Sequence, residues 1–303
     1  MTYTGSRAVR RAGHAGLAAC IAAAAAIAVL VATQSAAWAA VAPVGLGTAQ
    51  PFGVLAGTTV TNTGVSIVNG DLGVSPGTAV TGLPPAIVTG TVHVADGVAA
   101  GAQADLTTAY NDAAGRSPKA STGNFIGAGQ TLSPGVYNAT SSLHIGGALT
   151  LDAHGNPNAV FIFQVGSTLI TGSASTVVLT GRASACNVFW QVGSSATLGT
   201  HSTFSGSILA LTSITVTTGD TINGRALARN GAVTLDDDTI NVPPGCAPGP
   251  SPSPTGTGTG SPSPSPTGTG TGSPSPSPTG TGTAITGTPA PHPCRHQSPA
   301  PCP

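Results

Sequence analysis

The sequence predicts a mainly β fold, a parallel β-solenoid of triangular section with one long α-helix packed alongside. Three observations predict it. The first is composition. Of 303 residues 43 are Gly; hydrophobic residues make up 40% but aromatics only 4%, and 6% are charged, against about 25% in an average globular protein. The exposed faces of a helical bundle need Glu, Lys and Arg, and this chain has no Glu and one Lys, Lys119. Its Gly, Thr, Ser and Val suit short strands joined by tight turns. The second observation is a repeat. Segments 210–222 (ALTSITVTTGDTI) and 228–240 (ARNGAVTLDDDTI) align at an offset of 18, and 192–204 (VGSSATLGTHSTF) fits the same frame one step earlier. A period of that size without a helix in each unit accommodates three short strands and three turns, one triangular coil. The third is a single convincing helical pattern in an otherwise β-rich chain.

Taken in chain order, residues 1–39 carry the pattern of an export signal. Arg7, Arg10 and Arg11 precede an apolar run from Leu17 to Ala32, and Ala37-Trp38-Ala39 supplies a small-x-small cleavage pattern. Cys20 would leave with it. The mature protein is then expected outside the cytoplasm with no membrane span, as a monomer. The domain 40–246 follows. Its five cationic residues stand against nine Asp, a mildly acidic balance that offers no basic patch for nucleic acid.

Within it, 97–114 (GVAAGAQADLTTAYNDAA) is the helix. Asp96 can cap it, Val98, Ala102, Leu106, Ala109, Tyr110 and Ala113 form its apolar stripe, and Gly115 and Pro118 end it. A lone helix must bury its stripe against a sheet. The coils come next. A copy of the repeat at 165–177 (VGSTLITGSASTV) lies 27 residues before 192–204, the extra nine accommodated by a loop around 181–186. In stacked coils like residues form ladders about 4.8 Å apart. Leu198, Val216 and Leu235 make one inward ladder and Phe204, Ile222 and Ile240 another, with small aliphatic side chains suiting a narrow interior. Alternation then turns Thr197, Thr215 and Thr234 outward, with Thr150 extending that row. A second row is Thr176, Thr203, Thr221 and Thr239, and Ser173, Thr200 and Thr218 lie between them. Together they are expected to form one flat lattice of hydroxyls and methyls, spaced about 4.8 Å between coils and about 6.8 Å along a strand. Such a lattice can hold ordered water, hydroxyls anchoring and methyls caging, which suits a crystalline partner such as ice.

Four cysteines remain after Cys20, and they allow three pairings. Export favours oxidation; the simplest pairing is Cys186–Cys246 in the folded part and Cys294–Cys302 in the tail. From 247 to 303 the chain alternates Ser-Pro and Gly-Thr runs, a spacer without a core, of the kind that crosses a cell wall. Within 40–246 no CxxC or HxxxH spacing suggests a metal, and His93, His144, His154 and His201 lack ligand spacing. Asp236-Asp237-Asp238, with Asp220, has the oxygen chemistry for Ca²⁺, but a solvated turn is the plainer reading, with Arg225 and Arg229 near enough in sequence to pair with it. No acid-base pair for catalysis emerges, so neither an enzyme nor a cofactor is expected.

Several segments together resemble the ice-binding-like family of bacteria, fungi and algae: Gly70-Asp-Leu-Gly-Val-Ser-Pro-Gly77, ADLTTAYNDAAGR at 104–116, Leu132-Ser-Pro-Gly-Val-Tyr137, Asn187-Val-Phe-Trp-Gln-Val-Gly193 and Asn223-Gly-Arg-Ala-Leu-Ala228. The resemblance covers nearly all of 45–242. It implies a discontinuous right-handed β-solenoid with the helix alongside, one flat face bearing Thr-Ala/Gly-x-Thr/Asn units that binds ice. Thr218-Gly-Asp-Thr221 matches that unit; Ser173-Ala-Ser-Thr176 and Thr200-His-Ser-Thr203 match in part; Asp236-Asp-Asp-Thr239 departs, placing carboxylates where hydroxyls are expected. The expected activity is adsorption to ice, slowing growth or recrystallisation. The alternative is a non-catalytic adhesion or wall-associated module on the same scaffold, binding polysaccharide or a cell surface.

Overall fold

The computed structural model describes residues 1–2, 41–118 and 120–246; the signal pattern and the tail, with its Cys294 and Cys302, lie outside the described residues. Short parallel strands stack in rungs, three to a coil, giving three faces. Face 1 begins at one end with Val92–Val94 and runs through Asp71–Val74, Phe52–Ala56 and later strands to Ala120–Ser121 at the other end. Face 2 is an eight-stranded sheet running from Ala79–Thr81 through Thr59–Thr63, Val233–Asp236, Ile214–Val216 and Ala196–Leu198 to Phe125–Gly127. Face 3 runs from Ile87–Val88 through Ile67–Asn69 and Thr239–Asn241 to Gln130–Leu132. Thr203–Ala210 and Thr221–Ala228 are long strands that turn the corner from face 3 to face 1 without a break. Glycine makes that possible: Gly206 has φ 111°, and a Cβ on Gly224 would sit 1.8 Å from the Gly206 carbonyl oxygen.

The stack is not wound in sequence order. Residues 52–94 make the coils at one end, and their first coil docks on the last one, pairing Val54 with Ala226, Val60 with Val233 and Val68 with Ile240. The helix, Gly97–Gly115, then carries the chain to the opposite end, where 120–132 begin winding back. Asp96 caps it as expected, accepting from the Ala99 N–H at 2.8 Å. It buries Ala99, and it packs Ala102, Leu106, Ala109, Tyr110 and Ala113 against Phe52, Leu55, Ile162, Phe189, Leu209 and Leu227 of face 1. Val98 is a correction: it is half exposed, and Ala99, one residue further round, holds the place assigned to it.

The two inward ladders are as expected. Phe204, Ile222 and Ile240 stack in register; Leu198 pairs with Val216, and Leu235 is buried with them in one core. The repeat is 18 residues at Thr221–Thr239 but 19 at Thr215–Thr234, so one extra residue in a turn is absorbed before the next corner. The interior is not uniformly aliphatic, however. Tyr137, Phe163, Trp190 and Phe204 form a ladder with ring centroids 5.3, 3.9 and 5.1 Å apart, so four of the chain's eleven aromatics stand in one column where flat rings match the rung spacing. Cys186 and Cys246 are disulfide-bonded across 60 residues of sequence, tying the end of the folded part to the 181–187 loop.

Candidate functional site

The helix covers face 1, leaving faces 2 and 3 as the flat surfaces with outward side chains. On face 2 the central outward position is threonine in five successive rungs: Thr81 pairs with Thr61, Thr61 with Thr234, Thr234 with Thr215 and Thr215 with Thr197. At the strand spacing of about 4.8 Å the row is about 19 Å long. It ends where Ile170, His144 and Phe125 take the position. The inward neighbours Val60, Val233, Ile214 and Ala196 are fully buried and hold the row flat. Among the described residues none of these five hydroxyls bonds to a protein group, whereas Thr63 and Thr217, two positions along, donate to the Leu235 and Leu198 carbonyls. The free hydroxyls are therefore available to water.

Thr176, Thr203, Thr221 and Thr239 also stand in register, on face 3. That row passes into Ile67 and Ile87 at one end and Ala148 at the other. Beside it the Asn69 amide donates to Asn241 at 2.8 Å and Asn241 to Asn223 at 3.2 Å. Thr150 belongs here too, paired with Thr131 and Val178, and does not extend the Thr197 row.

Ser173, Thr200 and Thr218 lie in the turns between the two faces. Thr200 donates to Ser173 at 3.0 Å, and the Thr218 hydroxyl donates to the Asp236 carboxylate. The ten residues expected on one lattice are thus divided, three on face 2, four on face 3 and three at the corner, because the turns at 173, 200 and 218 bend the chain from one sheet to the other. Thr61 and Thr81, which complete the face 2 row, were missed by the repeat. Their own segment, Thr59-Val-Thr-Asn-Thr63, shows the alternation of a half-buried strand, but nothing local says which strand it joins.

The Asp run is a solvated turn only in part: Asp237 is exposed at a bend, while Asp238 is buried. Asp236 receives the Thr218 hydroxyl, and Asp237, in a left-handed conformation at φ 55°, accepts from the Val65 N–H at 2.6 Å. Asp238 points inward and is fully buried, accepting from the Asp220 and Asp236 N–H groups at 2.9 and 2.8 Å. Asp220 is buried beside it, accepting from the Ser202 N–H at 2.6 Å, with its Oδ2 unpartnered among the described residues. Burial raises Asp238 to about 7 and Asp220 to about 6. Neither arginine pairs with the run: Arg229 lies 4.7 Å over the Tyr110 ring and Arg225 is buried among neutral groups.

A rigid triangular β-solenoid that hides one face under a helix and presents in-register threonine on the others defines a surface-binding scaffold. The family model described as Ice-binding-like matches residues 54–241. An ice-binding protein from Nostoc sp. (strain HG1) is 55% identical over 198 residues, 65% of this chain and 73% of that protein. Among solved structures, an ice-binding protein from an Antarctic biological consortium is 50% identical with a TM-score of 0.65, covering 67% of this chain and 92% of that one. An ice-binding protein from the Antarctic ascomycete Antarctomyces psychrotrophicus is 41% identical, also at 0.65, covering 66% and 98%. The chain belongs to the ice-binding-like family.

Proposed function

We propose that this protein adsorbs to ice through face 2, with Thr81, Thr61, Thr234, Thr215 and Thr197 as the centre of the contact. The observation that carries this reading is five in-register threonines whose hydroxyls have no protein partner among the described residues. Each presents a hydroxyl that anchors one water and a methyl that cages its neighbours. Repetition at a fixed spacing lets water be ordered in a lattice, and the buried rungs beneath keep that lattice from relaxing. Adsorbed molecules then pin the ice front between them. No covalent chemistry is involved, and the protein acts without a cofactor and as a monomer.

The domain 40–246 carries this activity, 1–39 directs export, and 247–303 is the spacer. The Cys186–Cys246 disulfide suits an oxidising, extracellular location; among the described residues no helix is long and apolar enough to cross a membrane. The relatives reported above are named for ice binding and none for adhesion, so the adhesion alternative is set aside.

The test is ice-recrystallisation inhibition by Thr215→Tyr beside Thr221→Tyr. Thr215→Tyr should raise the protein concentration needed by about an order of magnitude or more, an effect of roughly 1.4 kcal/mol or above, with an unchanged circular dichroism spectrum. Thr221→Tyr on face 3 should retain most activity. Loss from Thr221→Tyr alone would move the site to face 3; normal crystal coarsening with the unaltered protein would refute ice adsorption.

A further inference from the structure

The Asn223-Gly-Arg-Ala-Leu-Ala228 motif, which lies off face 2, contains a buried charged residue that the proposed ice contact leaves unexplained. Arg225 is 1% exposed. Its Nε donates to the Gln50 carbonyl at 2.8 Å, but among the described residues Nη1 reaches only the Ser207 hydroxyl at 3.3 Å and Nη2 only the Cys246 sulfur at 3.8 Å. All three partners are neutral and two of the bonds are long. The nine acidic residues of the chain, all Asp, lie between 71 and 238, and the salt bridges among the described residues engage Asp96, Asp112 and Asp152 with His93, Arg116 and His154. Segments 3–40 and 247–303 contain no acidic side chain that could reach in from elsewhere. Burial lowers the Arg225 pKa to about 10, so the guanidinium is charged at neutral pH. A buried cation without a counter-charge is costly unless something compensates it.

Arg225 lines a cavity of about 20 Å³ together with Gln50, Asn187, Val44 and Phe189. That is room for one water-sized guest. We propose that the cavity is a binding site for one small monovalent anion of the halide class, which neutralises Arg225. The anion would lock together the three pieces that meet there: the Gln50 segment, the rung carrying Arg225 and the Cys186–Cys246 bridge. The site is separate from the threonine rows, so it stands or falls independently of ice adsorption.

The test is thermal unfolding of the purified full chain at constant ionic strength, with sodium gluconate exchanged for sodium chloride, together with crystals soaked in sodium bromide. Binding to the folded state alone should raise Tm with chloride by about 2–5 °C at saturating concentration, and an anomalous bromide peak should appear beside Arg225. Arg225→Gln should remove both signals. Should that variant fail to fold, Asn187→Leu, which leaves Arg225 in place and puts an apolar group at the cavity wall, should flatten the chloride response. An unaltered protein with the same Tm in both salts, bromide found only on exposed surfaces, or a full chloride response in Asn187→Leu would each overturn the proposal, leaving water as the guest.

Discussion

Faces 2 and 3 carry rows of threonine with the same spacing, yet they differ in continuity and in what lies alongside. The face 2 row is unbroken for five rungs from the Thr81 end of the stack. On face 3 the row holds for four and is bounded by isoleucine and alanine, and its neighbouring asparagines bond to each other. At the corner between them the hydroxyls are taken up by Ser173 and Asp236. Threonine at a repeated position is therefore insufficient by itself, since β propensity alone places it on exposed sheets. What separates the faces is the length of the uninterrupted run, and face 2 owes its length to the N-terminal coils.

The difference can be pressed experimentally. Beyond Thr215→Tyr at the centre of the row, Thr197→Tyr at its end should cost less activity, about threefold, because four threonines remain contiguous on one side. A loss as large as that from Thr215→Tyr would mean that the contact extends past Thr197 toward Ile170.

The corner itself should respond to pH. Asp220 and Asp238 are both raised by burial, to about 6 and about 7, from an unfolded value near 3.8. Across that window the folded protein holds more protons than the unfolded chain, so stability is highest at the acidic side and falls as pH rises through 6 to 7. His201 acts on Asp220 in the opposite sense, and Asp236 reinforces the shift of Asp238. Tm is expected to be a few degrees higher at pH 5 than at pH 8, and Asp238→Asn, which resembles the neutral form, should flatten that slope; a Tm rising over the same interval would contradict it. The smallest effect expected is that of Thr218→Ala. It removes the bond to Asp236 at a partly exposed corner and should leave recrystallisation inhibition unchanged, with stability altered by no more than about 0.5 kcal/mol.

Much of the fold was legible because consecutive rungs leave a period in the chain. The ladders Thr197–Thr215–Thr234 and Phe204–Ile222–Ile240 follow from offsets of 18 or 19 residues, and the cap at Asp96 and the bridge Cys186–Cys246 follow from local chemistry and the redox compartment. The docking of 52–69 onto 226–241 leaves no such trace. Thr61 meets Thr234 across a long sequence gap bridged by the helix and all the other coils, so two of the five central threonines were invisible to the repeat. The division of the ten hydroxyl residues between faces depends on where each turn bends, which a frame counted in residues does not carry. The direction of Asp238 was also hidden, since a run of three carboxylates resembles solvated surface until the pleat turns one of them inward.

The most direct test of the joined surface is recrystallisation inhibition by Thr61→Tyr. That residue enters the row only if the N-terminal coil completes face 2, and it lies far in sequence from the Thr197–Thr234 repeat. Loss of activity comparable to Thr215→Tyr, with the circular dichroism spectrum unchanged, is the predicted result. Full activity in Thr61→Tyr would contradict the account.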